Sequence, residues 1–259
     1  MNVSQTPVDW HVHAHQAGDM AVVLDSAATA FARVNGAPVG VLMLAEMPGQ
    51  QVFAELAEGT TAGWTMQATE EVASLVAARG DARIIIVAGH QVLTAERLEI
   101  LAFGTRLRPR DGMPASTMLR DLAQQDVLAV LPWGVGKWLG HRGTVVEGLV
   151  KDLPPQTLAL GDNAARPRLW PTPAAFQEAA RRGIAVLPGT DTLPGAAPAA
   201  GQFGSLVPGG ISLRRPMAAL RRAVERPATL KRYGTLAGPA TFLRDQAMLR
   251  LRRIGGRRS

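Results

Sequence analysis

VDWHVHAHQAGD, residues 8–19, holds three of the chain's five histidines, at positions 11, 13 and 15. A strand sends alternate side chains to opposite faces. His11 and His13 then face one way, and Trp10, Val12 and Ala14 the other. Two imidazoles about 6–7 Å apart on one strand face suit a shared cation. His15 falls past the strand end. A helical pattern over 21–34 follows at once, so the stretch reads as the first β–α unit of an alternating chain.

The alternation continues along the chain. Strands are expected over 8–13, 38–46 (PVGVLMLAE), 83–90 (RIIIVAGH), 99–103, 127–133, 158–161 and 184–188. Helices are expected over 21–34, 70–79, 116–125, 141–153 and 174–182. Apolar strands alternating with amphipathic helices imply a parallel sheet covered by helices. Seven such strands in 259 residues predict an α/β fold, a (β/α)7 TIM-like barrel filling residues 1–212. The Pro-, Gly- and Ala-rich run over 193–210 reads as a long loop beside the barrel mouth. A basic helical C-terminal extension, 213–259, would carry helices over 216–226 and 239–254.

With no cysteine, disulfides, thiolate metal sites and cysteine nucleophiles are excluded. The net charge of +7 is concentrated: 13 of 28 basic residues and only two of 21 acids fall in 214–259. Over 241–254, helical spacing puts Leu243, Ala247, Leu251 and Ile254 on one side, with Arg244, Arg250 and Arg253 around them. That pattern predicts peripheral contact with an anionic membrane surface. Nucleic acid is not an expected partner, because Tyr233 and Phe242 are the only aromatics in this segment. The start, MNVSQTPVD, has neither a basic nor an apolar leader region, and no stretch is apolar enough to span a bilayer. A cytoplasmic protein, membrane-associated through its tail, is the expectation.

Polar residues recur where the expected strands end. His11 and His13 close the first, Glu46 the second and His90 the third; Lys137 follows the fifth, Asp162 the sixth and Asp191 the seventh. Parallel α/β folds build their sites at that rim. Clustered histidines with carboxylates at other strand ends point to one or two divalent ions, with Zn, Mn or Fe the suitable metals. Asp191 or Glu46 would orient a water as base. Lys137, on a glycine turn, would meet a small anionic substrate, helped by Arg142 or Arg166. Asp162 reads equally as a substrate contact or a helix cap, and Arg166 as its ion-pair partner. Arg106, Arg108 and Arg110 read as further anion contacts or as solvated surface.

DWHVHAH, with a late strand ending in GTD, resembles the PHP family of polymerase and histidinol phosphatase domains. The resemblance implies that the seven-stranded (β/α) barrel is distorted, and it implies divalent metals and hydrolysis of phosphate esters. By position, His11 and His13 match its first motif and Asp191 its closing Asp-x-His, where Leu193 replaces the second His. Glu46 and His90 stand where the family has His and Glu, and Trp133 where it commonly has His. The ligand set so implied is His11, His13 and Asp191 with Glu46 or His90. The amidohydrolase superfamily, whose members hydrolyse C–N bonds, also opens on HxH and ends on a strand-borne Asp. It usually adds a bridging Lys or Glu and further histidines that this chain lacks. A third reading is a catalytically degenerate barrel that binds a ligand or partner and docks by its basic tail.

Overall fold

A computed structural model describes residues 5–191 and 199–238. The expected helix over 239–254, and with it the expected membrane contact, lies outside them. No helix among the described residues is long and apolar enough to cross a membrane.

The strands divide between two mixed sheets, and neither closes into a barrel. The first contains β1 (Gln5–Val12), β2 (Val39–Leu44), β3 (Thr60–Thr61), β4 (Trp64–Ala68), β5 (Ser74–Arg79), β6 (Ala82–Val87), β12 (Gly204–Pro208) and β13 (Lys231–Tyr233), in the order β13-β12-β1-β2-β6-β5-β4-β3. The second contains β7 (Gly89–Leu93), β8 (Glu99–Phe103), β9 (Leu128–Pro132), β10 (Ala159–Asn163) and β11 (Val186–Gly189), in the order β11-β10-β9-β8-β7. Each sheet has a parallel run of three strands, β1-β2-β6 and β9-β10-β11. The remaining pairings, where a direction is assigned, are antiparallel.

The (β/α)7 TIM-like barrel is therefore corrected to two mixed sheets, and the reasons are local. A parallel neighbour needs a crossover of about a dozen residues or more. The link between β7 and β8 is too short for one, and Thr94 closes it: the Leu98 N–H donates to the Thr94 hydroxyl at 3.1 Å, and the Thr94 N–H to the Leu98 carbonyl at 2.9 Å. The helix expected over 70–79 is instead β5, hairpinned to β6 through Gly80, which has a φ of +53°. Its SLVAA run is buried along its whole length, and sheet burial overrides the helix propensity of the alanines. The strand expected over 83–90 breaks at Ala88, where the chain passes from one sheet to the other. Within the expected loop over 193–210, β12 returns antiparallel to β1.

Six helices, among the described residues, cover these sheets: α1 (Met20–Asn35), α2 (Val52–Ala57), α3 (Ala115–Gln124), α4 (His141–Asp152), α5 (Ala174–Arg181) and α6 (Pro216–Val224). Met20, Leu24, Ala27 and Phe31 form the buried stripe of α1, which ends at Gly36 in the left-handed conformation. Phe31 lies across Gly40 of β2, where a Cβ would stand only 2.3 Å from its ring. That face of the first sheet packs with α1 and α2, and the outer face of the second with α3, α4 and α5. The two sheets share a third apolar layer, including Val8, Trp10, Met43, Ile85, Phe103, Val130 and Leu187, with Met217 and Leu220 of α6.

Candidate metal centre

A bulge in β1 aims the histidines. Val8 pairs with Val41 but Val12 pairs with Leu44, so β1 carries one residue more than β2 over this span. Trp10 consequently belongs to the layer between the sheets, where its Nε1 donates to Ser205 Oγ at 2.7 Å. Val12 and Ala14 belong to the α1 layer. The expectation that all three share a face is corrected by this extra residue, which re-aims side chains as bulges do. His11 and His13 still emerge together: their Nε2 atoms are 2.9 Å apart, with ring centroids 4.7 Å apart.

Asp191 completes the group from the end of the second sheet. Its Oδ1 lies 3.6 Å from His11 Nε2 and 3.4 Å from His13 Nε2. One ligand atom from each of His11, His13 and Asp191 falls within 4.8 Å of the others. The seam between sheets makes this possible. The Asp191 N–H donates to the His11 carbonyl at 2.7 Å, and a Cβ on Gly189 would stand 2.5 Å from His11 N. Asp191 itself adopts a φ of +50°, a conformation rare for a residue with a side chain.

The donor set fits a divalent cation. His13 Nδ1 lies 2.6 Å from the Ala45 carbonyl, which can only accept, so Nδ1 carries a proton and Nε2 is the ring nitrogen that faces the cluster. Asn163 Nδ2 donates to Asp191 Oδ2, while Asn163 Oδ1 accepts from the Ala165 N–H at 2.7 Å and so fixes the amide's orientation. Burial pushes the His11 imidazole down to about 3, against the pull of Asp191, so it is neutral and able to ligate at ordinary pH. Burial alone would raise the Asp191 carboxyl, but His11, His13 and Lys137 together hold it below the usual carboxylate range.

Other residues singled out in the sequence form separate pairs. Glu46 and His90 sit side by side where the sheets meet, with Nδ1 3.6 Å from Oε2. Glu46 Oε1 also accepts from the Phe53 N–H at 2.7 Å. Burial raises the Glu46 carboxyl and lowers the His90 imidazole, so both lean toward neutrality. Neither joins the three clustered ligands, and His90 Nε2 is buried without a hydrogen-bond partner among the described residues. Asp162 and Arg166 form a buried two-pronged ion pair at 2.7 and 2.8 Å, the pairing expected for Arg166; the helix cap expected of Asp162 is not formed, since Pro173 stands at the N-cap of α5. Arg142 donates to the Gly136 carbonyl at 2.7 Å. Arg108 is paired with Asp111 at 2.9 Å.

Lys137 remains beside the cluster. Its ammonium meets Glu99 Oε2 at 2.5 Å. Burial would lower its pKa, but Asp191 and Glu99 outweigh that and raise it. Trp133, in place of a strand-five histidine, is buried edge-to-face with Trp170, centroids 6.5 Å apart. Sequence reasoning missed Asp9, Thr190, Asn163 and Glu99. Asp9 did carry a signal: it is a carboxylate set between Val8 and Trp10 in the interior of a strand, and such a group needs partners.

No family model matches the chain, and no curated protein gives a significant match. Among solved structures, PsfC from Pseudomonas syringae superposes with a TM-score of 0.59 at 15% identity, covering 98% of this chain and 99% of that one. The lesion-specific endonuclease PfuEndoQ from Pyrococcus furiosus superposes with a TM-score of 0.51 at 12% identity, covering 88% of this chain and 57% of that one. At these identities the likeness is one of fold: this chain is similar in architecture to both, and it carries a three-residue cluster that could hold a metal ion.

Proposed function

We propose that the protein is a metal-dependent hydrolase of PHP type acting on a phosphate ester. The convergence of His11 Nε2, His13 Nε2 and Asp191 Oδ1 carries the reading. A divalent ion there would supply Lewis acidity, lowering the pKa of a water and drawing charge from a phosphoryl oxygen. The residues contribute the rest. Ala45 and Asn163 hold His13 and Asp191 in ligating orientation. The Lys137 ammonium, tethered by Glu99, offsets negative charge on a small anionic substrate. An endonuclease among the structural neighbours supports including phosphodiesters with monoesters among the substrates tested.

The test is hydrolysis of a panel of phosphomonoesters and phosphodiesters with Zn, Mn or Fe(II). Wild type is expected to turn over at least one, with His11→Ala reduced about a hundredfold or more. Lys137→Ala should keep its metal and lose roughly 10²–10³-fold in kcat/KM through weaker charge stabilisation. A metal-loaded wild type inactive on the whole panel would overturn the reading.

A further inference from the structure

The metal-centre reading leaves one residue beneath the cluster without a role. Asp9 is fully buried and lies two residues before His11 on β1. Its Oδ1 accepts from the N–H groups of Thr190 at 2.9 Å and His11 at 3.3 Å. Its Oδ2 accepts from the Thr190 hydroxyl at 2.6 Å and the Gly201 N–H at 2.9 Å. Each oxygen thus takes two donors, which fills the acceptor capacity of a carboxylate. The donors belong to three separate chain segments: β1, the end of β11, and the segment that leads into β12.

The ligands themselves lie on two sheets, and no strand ladder joins β1 to β11. Across that seam, Asp9 grips Thr190, the residue immediately before Asp191, while the Asp191 N–H reaches the His11 carbonyl. We infer that Asp9 is the positioning residue of this centre, a single carboxylate that sets the distance between the His11 and Asp191 ligand atoms. It does not touch the ligand position; it acts by fixing the backbone on either side. Thr190 is the other half of the device, since its hydroxyl and N–H take one oxygen each. A ligand pair held across a seam depends on such a link more than ligands on one strand do.

The inference rests on the metal-centre reading, and the test separates the two. Co(II) is titrated into metal-free full-length wild type, Asp9→Asn, Thr190→Val and Ser205→Ala, recording affinity and the d–d absorption spectrum. In Asp9→Asn an amide N–H₂ faces two of the four donors; Thr190→Val removes one bond at nearly constant shape. Wild type should bind, with affinity falling about ten- to a hundredfold in Asp9→Asn and less in Thr190→Val, each with an altered spectrum. Ser205→Ala breaks the Trp10 bond on the same strand, so it lowers stability but should keep the wild-type spectrum. Wild-type affinity and spectrum in Asp9→Asn would overturn the positioning role alone. If Asp9→Asn does not fold, an unchanged Thr190→Val overturns it. A wild type that binds no Co(II) overturns the metal-centre reading, and this inference with it.

Discussion

His11 and Asp9 respond to pH in opposite directions. With the His11 imidazole held at about 3 against an ordinary 6.5, the unfolded chain binds its proton first as pH falls. Metal-free protein therefore loses stability from this residue between 6.5 and 3. Burial, opposed by four hydrogen bonds, raises the Asp9 carboxyl from 3.8 to about 6. Here the folded chain binds the proton first, so acidification from 6 to 3.8 is stabilising. Each slope is about 1.4 kcal/mol per pH unit, and they offset each other. Asn does not titrate. Metal-free Asp9→Asn should therefore lose stability more steeply than wild type over about pH 4 to 6. Urea midpoints at stepped pH in chelator check this, and parallel profiles would contradict it. The histidine pair was legible because the two imidazoles still meet although the bulge falls between Asp9 and Val12. The role of Asp9 was not legible, because its partners Thr190 and Gly201 lie 181 and 192 residues away in sequence.

Close packing of single elements explains which parts of the fold a sequence exposes. The α1 stripe repeats at helical spacing and ends at a glycine, so α1 was readable to within about a residue. Burying a side chain such as Phe31 contributes roughly 1.5–3 kcal/mol, and it depends on the absent Cβ of Gly40. Gly40→Ala should overpack this contact and destabilise by about 1–3 kcal/mol, seen as a lowered urea midpoint with an unchanged slope. A midpoint within error of wild type would show that α1 can move aside. By contrast β5 was read as a helix, because SLVAAR has no strong period and its alanines favour helix. Its hairpin was foreshadowed only by Gly80-Asp81, a two-residue turn signal between apolar runs.

Across the whole molecule, apolar strands alternating with helices mark parallel pairing, and three-strand parallel runs do form in both sheets. What alternation does not encode is where the run stops. The short link at Thr94, the Gly80 turn and the return of β12 each insert an antiparallel pair and leave two sheets in place of a ring. The meeting of His11, His13 and Asp191 survives that correction because it needs only the ends of β1 and β11 to come together, whereas Glu46 and His90 fall outside the cluster. The two strand ends meet at the seam, through Gly189 and the Asp191–His11 backbone bond. Elemental analysis of protein purified without chelator and reconstituted with Zn, Mn or Fe(II) tests this most directly. The account predicts about one bound ion per chain in wild type and a large loss in His11→Ala, which keeps its fold. A wild type that retains no stoichiometric metal under any of these conditions would contradict it.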